Sequence, residues 1–188
     1  MYLTSVTQSE IRATLEVVME VANELSDGDP DLRALLSDAG FSRATQASAA
    51  SVDRLAARMR LLVPLLNRLP NPDLDPAEAM AEVNEGLTEL PISPSIAEHN
   101  GTGPHIHWTP ATARFDDQVM SDVLMALAQE LCDNSTDRFG QCGATDCSHL
   151  FYDNTRNNSR RFCSDPRCAS RTHTADHRAR RQVSSDKA

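Results

Sequence analysis

The sequence has no apolar run approaching the twenty residues that a membrane-spanning helix requires. Its start, MYLTSVTQSE, also lacks the basic segment and apolar stretch of a secretory signal. A composition of 40% hydrophobic and 24% charged residues over 188 residues is typical of a soluble chain with one domain and a small additional module. We therefore expect a cytoplasmic protein that has no membrane partner and keeps its cysteines in a reducing compartment.

Familiar catalytic motifs are also missing. The sequence contains no glycine-rich phosphate loop, no nucleophile elbow and no HExxH zinc motif. Two histidine pairs, His105 with His107 and His173 with His177, have spacings that could place two metal ligands together. The first pair has no carboxylate at an obvious spacing, and four cysteines lie close in sequence to the second. We predict that the chain is not an enzyme.

Lysine is nearly absent, and the charge is divided unevenly along the chain. The net charge is −9, but residues 138–188 contain ten Arg and Lys against five Asp and carry +5. Residues 1–137 then carry −14. An acidic body with a basic C-terminal segment predicts two modules with separate tasks: a helical sensor or dimerisation domain over 1–137 and a small module over 138–188.

The hydrophobic periodicity predicts a mainly α-helical first domain. Residues 91–110 are rich in proline, glycine and serine and predict a small irregular hairpin that turns at Asn100-Gly101. The predicted helices are one behind a Thr7–Glu10 capping box, one with Asp29 as N-cap and Pro30 in its first turn, one through 46–69 that Pro64 should kink or end, one that begins at Asp75-Pro76, and one through 113–133.

Four of the five cysteines form two pairs with the same spacing, C-x4-C-x15-C-x4-C. Short pairs of this kind present thiolates to a tetrahedral zinc ion. Two disulfides, a redox-active dithiol or an iron–sulfur cluster are the alternatives. A zinc ion with four thiolates has no open coordination position, so one structural Zn²⁺ is expected. Its predicted ligands are Cys142, Cys147, Cys163 and Cys168. The fifth cysteine, Cys132, is expected to be a small buried residue of a helix.

The segment around these cysteines predicts a β-hairpin followed by a helix, as in a treble-clef or ribbon-like module. HLFYDNT favours a strand, RRF its partner, and RNNS the turn between them. The residues after Cys168 contain no proline or glycine and favour a helix that begins near this cysteine.

Arginine dominates the basic segment, and its planar fork of donors suits phosphate groups. We expect contacts with DNA or RNA. The alternative is a zinc-stapled module that docks on an acidic protein partner or on the chain's own acidic body. The arginines predicted to contact nucleic acid are Arg156, Arg160, Arg161, Arg171, Arg178 and Arg181.

The stretch CGATDCSHLFYDNTRNNSRRFCSDPRCASR resembles the CGNR zinc-finger family of bacterial proteins. The shared features are the four cysteines with Phe151, Asp153, Arg156, Arg160 and Arg161. The sequence departs from the family at the closing Cys-Gly-Asn-Arg, which reads Cys168-Ala169-Ser170-Arg171, at Thr155 in place of serine, and at Phe162 in place of tryptophan.

The upstream helices are similar to the N-terminal all-helical domain of that family, which is associated with stress-induced transcription regulation. The resemblance implies a zinc-dependent transcription regulator that binds DNA or RNA. It further implies that the helical domain senses a small-molecule or protein effector, or forms an oligomer.

Overall fold

A computed structural model describes residues 6–41, 43–98 and 103–185, with side chains described between residues 8 and 175 of these ranges. Within them the chain is mainly helical and carries two small antiparallel hairpins, which confirms the predicted fold class. No described helix combines the length and apolar character that a bilayer span needs. The helices are α1 (Val6–Asp27), α2 (Leu32–Asp38), α3 (Ala49–Arg68), α4 (Pro76–Thr88), α5 (Phe115–Asn134) and α6 (Pro166–Ser185). The strands are β1 (Ser95–Ala97), β2 (His105–His107), β3 (Phe139–Gln141) and β4 (Leu150–Tyr152).

Helix α5 lies at the centre of the helical body and packs against α1, α3 and α4. Val123 and Leu127 on one face of this helix are buried, and so are residues on its other sides such as Met120 and Ala126. A helix that is buried almost all round is expected where other helices surround it. The last turn emerges from the core, and there Cys132 is exposed. The expectation of a buried Cys132 was therefore wrong.

Local capping rules decide where several helices begin. Asp75 caps α4, accepting a hydrogen bond from the Ala77 N–H, with Pro76 in the first turn as predicted. Helix α2 begins later than predicted: Asp31, not Asp29, accepts the Ala34 N–H, and Pro30 precedes the cap. Both aspartates are suitable caps, and only Asp31 lies three residues before an N–H that its carboxylate reaches.

Helix α3 continues through Pro64 to Arg68, so the proline does not end it. A proline inside a helix removes one backbone hydrogen bond and disfavours the helix locally. Here Leu65, Leu66 and Leu69 follow the proline and are all buried in the core. Their packing holds the last turn of α3 in place.

Two buried aspartates at the start of α5 engage three arginines. The Asp116 carboxylate pairs with Arg54 at 3.0 Å, and Asp117 pairs with Arg58 and Arg114, each at 2.9 Å. The hydrogen bond from Arg114 is the main reason that the pKa of Asp117 lies below its usual range. Acidic side chains in the first turn also favour a helix through its dipole.

The first hairpin joins β1 and β2 in antiparallel register, with Ile96 opposite Ile106. This confirms the strand pair expected in residues 91–110. The Asn100-Gly101 turn predicted between the strands lies outside the described residues.

The second hairpin differs from the prediction. Strand β4 pairs with β3, with Phe139 opposite Tyr152, and not with the RRF segment at 160–162. A β-carbon on Gly140 would lie 2.3 Å from the Phe151 ring, so glycine at this position lets the two strands approach. Residues 153–162 form an irregular loop beyond β4 that includes three of the predicted nucleic-acid contacts.

The β3–β4 hairpin is seated on α1 and α5. Its residues Phe139, Leu150 and Tyr152 belong to the same buried core as the helices. The buried Asn23 side chain of α1 accepts a hydrogen bond from the Leu150 N–H at 2.7 Å and donates one to the Leu150 carbonyl at 2.9 Å. The Tyr152 hydroxyl donates to Glu130 of α5 at 2.9 Å. Whether 1–137 and 138–188 behave as separate domains stays a prediction.

Because Asn23 satisfies two buried backbone groups of β4, Asn23→Ala should destabilise the protein by about 3 kcal/mol. The measurement is urea unfolding followed by circular dichroism. Asn154→Ala is the matched control, because Asn154 reaches Glu16 of the same helix from an exposed position. We expect the control to change the free energy of unfolding by no more than about 0.5 kcal/mol. Equal effects of both variants would contradict the role assigned to Asn23.

Candidate metal centre and arginine surface

The four paired cysteines converge from three parts of the C-terminal segment. Cys142 directly follows β3, and Cys147 closes a tight turn in which its N–H donates to the Ala144 carbonyl. Cys163 ends the loop beyond β4, and Cys168 lies in the first turn of α6. The Gly143 N–H donates to the Arg161 carbonyl at 2.8 Å and joins the two cysteine-bearing segments. A β-carbon on Gly143 would lie 3.1 Å from that carbonyl oxygen, so this approach favours glycine.

The geometry of the four sulfur atoms fits one zinc ion. All four ligand atoms lie within 4.8 Å of one another. The Sγ atoms of Cys147 and Cys163 are 3.8 Å apart, and those of Cys163 and Cys168 are 3.7 Å apart. A tetrahedron with Zn–S bonds of about 2.3 Å has edges of about 3.8 Å. A disulfide would bring two sulfurs to about 2.05 Å, so all four cysteines are free thiols.

The surroundings of the sulfurs supply hydrogen bonds that suit thiolates. The backbone N–H groups of Cys163 and Ala144 help to lower the pKa of the Cys142 thiol, and that of Asp165 acts to lower the pKa of Cys163. Burial and the neighbouring cysteines nevertheless raise the pKa of the Cys163 thiol to about 12. A metal cation must therefore displace its proton, and binding of zinc stabilises the folded form of the segment.

Arg171 lies directly beside the metal centre. Its guanidinium donates to the Cys168 sulfur at 3.6 Å and pairs with Asp146 at 3.2 Å. Arg171 thus links Cys168 to the turn between Cys142 and Cys147, which contains Asp146. Ala169 and Ser170, which replace the usual Gly and Asn, lie in α6 and have no left-handed backbone. The helix therefore accommodates both substitutions.

Asp153 organises the loop that follows β4. Its buried carboxylate accepts hydrogen bonds from the Arg160 N–H at 2.6 Å, from the Thr155 N–H at 2.8 Å and from the Thr155 hydroxyl. Burial alone would raise its pKa, but these donors outweigh burial and hold the pKa of Asp153 below its usual range. The hydroxyl of Thr155 replaces that of the usual serine, so this departure preserves the hydrogen bond.

The predicted nucleic-acid contacts fall into three groups. Arg156 and Arg161 are exposed on the loop. Arg160 and Arg171 are engaged within the module: the Arg160 guanidinium donates to the carbonyls of Phe162 and Tyr152 and lies over the Phe151 ring. The side chains of Arg178 and Arg181, both on α6, lie outside the described residues.

A family model, the CGNR zinc finger, matches residues 138–181. Over these residues the C-terminal module is similar to CGNR zinc fingers. No curated protein matches the chain. The match and the sulfur geometry together confirm the predicted zinc module and its single metal ion. Sequence reasoning missed Asn23 and Asp146, because nothing in their local sequence indicates the residues that they contact.

Among the side chains that the structure describes, no histidine of the two pairs takes part in a comparable cluster. Among the described residues, the four cysteines are the only group of three or more His, Cys, Asp or Glu side chains that could hold a metal ion. His173 makes an edge-to-face contact with Phe162, and the side chain of His177 lies outside the described residues. His105 and His107 line a cavity in the helical body.

Replacement of Cys163 by serine should abolish zinc binding, because it removes one of four thiolates. The matched control is Cys132→Ser, since the exposed Cys132 is the one cysteine outside the cluster. Inductively coupled plasma mass spectrometry of purified protein should find one zinc per chain in the wild type and in Cys132→Ser, and almost none in Cys163→Ser. Retention of zinc by Cys163→Ser would contradict the four-thiolate site.

Proposed function

We propose that this protein is a transcriptional regulator whose CGNR zinc finger binds DNA or RNA through exposed arginines. The zinc ion is structural, because four thiolates leave no open coordination position. It fixes the loop beyond β4 and the start of α6, and the chain acts by binding and not by catalysis.

The observation that carries the proposal is the difference between two sets of arginines. Five of the eight arginines in residues 1–137 form ion pairs: Arg54, Arg58 and Arg114 pair with buried aspartates, and Arg60 and Arg68 pair with Asp29 and Glu82. Arg156 and Arg161 of the zinc finger form no ion pair with any described residue. Exposed guanidinium groups without carboxylates are ready to bind phosphate.

The rigid setting of these two arginines also supports the proposal. Asp153 holds the loop that carries Arg156 through three hydrogen bonds, and Arg161 lies between Arg160 and the zinc ligand Cys163. The Arg161 guanidinium lies 5.7 Å from the centre of the Phe162 ring, and its peptide carbonyl is held by Gly143. A rigid loop loses less conformational entropy on binding than a mobile one does.

A second candidate function is protein docking. The β3–β4 hairpin of the zinc finger already packs on α1 and α5, so part of the module is a protein-binding surface within the chain itself. A zinc-stapled protein-interaction module would use Arg156 and Arg161 to contact an acidic partner. The two functions differ in salt dependence, which is steep and linear on a logarithmic scale for phosphate contacts.

The test compares the double variant Arg156→Ala/Arg161→Ala with Arg60→Ala/Arg68→Ala. The second variant removes the same charge from two arginines that form ion pairs with carboxylates of the helical body. Binding to mixed-sequence duplex DNA and to RNA is measured by fluorescence anisotropy between 50 and 300 mM KCl. The finger variant should weaken binding and lower the slope of log K against log salt by about 2. The body variant should leave this slope unchanged.

Zinc content of both variants is measured on the same preparations. A finger variant that retains zinc and binds nucleic acid as the wild type does would overturn the proposed contacts. Arg156→Lys/Arg161→Lys adds a further comparison, because lysine keeps the charge and loses the bidentate fork. This variant should have the wild-type slope of log K against log salt, but only part of the wild-type affinity for nucleic acid.

A further inference from the structure

The helical body contains a cavity of about 330 Å³ between α1, α5, β2 and the turn that follows α2. This volume lies within the range of about 300–1,000 Å³ that small-molecule sites occupy. Its lining includes the apolar and aromatic side chains of Val17, Phe41, Trp108 and Met125. The lining also includes carboxylate and imidazole groups, so the cavity combines apolar walls with a few polar groups.

Two carboxylates give the cavity its charge. Asp122 on α5 is half-buried within it, and Glu10 on α1 is exposed at its edge. Burial, with a smaller effect from Glu10, raises the pKa of Asp122 to about 7, and His105 opposes this shift. No lysine or arginine is found among the described residues that line the cavity. An anionic ligand would therefore meet like charge here, and a cationic ligand would not.

Asp122 differs from other aspartates that are shielded from water, because its carboxylate accepts no hydrogen bond from a described residue. The carboxylates of Asp116, Asp117 and Asp153 all accept hydrogen bonds from arginines or from the backbone. None of the described residues donates a hydrogen bond to Asp122, although it is half-buried. Partial burial of a carboxylate that accepts no hydrogen bond costs free energy of folding. A cation bound in the cavity would offset that cost.

His105 and His107 also line the cavity. Their Nε2 atoms are 3.1 Å apart, and Nδ1 of His105 lies 2.9 Å from the Gly103 carbonyl. These contacts orient both rings along β2. The two histidines and Asp122 do not form a metal-sized cluster among the described residues, which argues for an organic cation over a metal ion.

We propose that this cavity binds a small organic cation, an amine with an apolar or aromatic portion, whose ammonium group pairs with Asp122. Trp108 and Phe41 contact the apolar portion, and an aromatic ring also attracts a nearby ammonium group. The site lies in the helical body and makes no use of Arg156 or Arg161. Failure of nucleic-acid binding would therefore leave this proposal standing, and the reverse holds as well.

The test uses three probes with one skeleton: 2-phenylethylamine, 2-phenylethanol and 3-phenylpropionate. Butylamine is included as an amine without a ring. Isothermal titration calorimetry at pH 7.5 on the full zinc-loaded chain should find that 2-phenylethylamine binds at least tenfold more tightly than the alcohol, while the anion does not bind. If neither amine binds below 10 mM, or if the alcohol binds as tightly as the amine, the proposal is wrong.

Asp122→Asn provides the site-directed test, because it removes the charge and keeps the size of the side chain. It should weaken binding of 2-phenylethylamine at least tenfold without weakening that of the alcohol. Asp53→Asn, the same change on the exposed surface of α3, should have no effect. Glu10→Gln should weaken amine binding by a smaller factor. Unchanged amine affinity in Asp122→Asn would overturn the assignment of this carboxylate.

The same variant has a pH-dependent effect on the unliganded chain. The other titratable groups that line the cavity are Glu10 on α1 and the two histidines on β2, and of these Glu10 and His105 act on Asp122. Since the pKa of Asp122 is raised to about 7 in the fold, folding takes up a proton and stability falls as pH rises from about 4 to 7. Asp122→Asn removes this loss, so it should raise the melting temperature more at pH 8 than at pH 5. An equal change at both pH values would contradict the raised pKa.

Discussion

Four thiolates around one zinc ion are the interaction on which the C-terminal module of the structure depends. The segment from Arg138 to the start of α6 contributes only a two-stranded hairpin and a few apolar residues of its own. A segment of this size buries too little surface to fold by packing alone. The metal joins the cysteine turn, the loop beyond β4 and the first turn of α6, and it thereby sets where Arg156 and Arg161 lie.

The zinc finger is also held from the other side by the helical body. Asn23 satisfies both backbone groups of Leu150, and the Tyr152 hydroxyl reaches Glu130. The same two helices, α1 and α5, form walls of the cavity that contains Asp122. An effector that moves these helices would directly change the surface against which the β3–β4 hairpin packs. This arrangement gives a physical route by which the predicted sensor domain could influence the zinc finger.

Several local features were predictable from the sequence, and long-range partners were not. Cysteine spacing predicted the cluster that the four sulfur atoms form, because each pair is set by one short turn. Asp75-Pro76 marked the start of α4, because capping involves only nearby atoms. The partner of β4 depends on Gly140 and on the helices beneath the hairpin, which no local pattern reveals. Asn23 and Leu150 are 127 residues apart, and an asparagine within a helix carries no signal of its distant partner.

The most direct test of the account is the salt dependence of nucleic-acid binding by the wild-type chain, measured with and without its zinc ion. The account predicts that the zinc-loaded chain binds mixed-sequence duplex DNA or RNA with log K falling linearly against log salt, and that removal of zinc abolishes this binding. A chain that carries one zinc ion and binds neither nucleic acid at 50 mM KCl would contradict the account. The zinc finger would then serve as a structural staple for contacts between proteins.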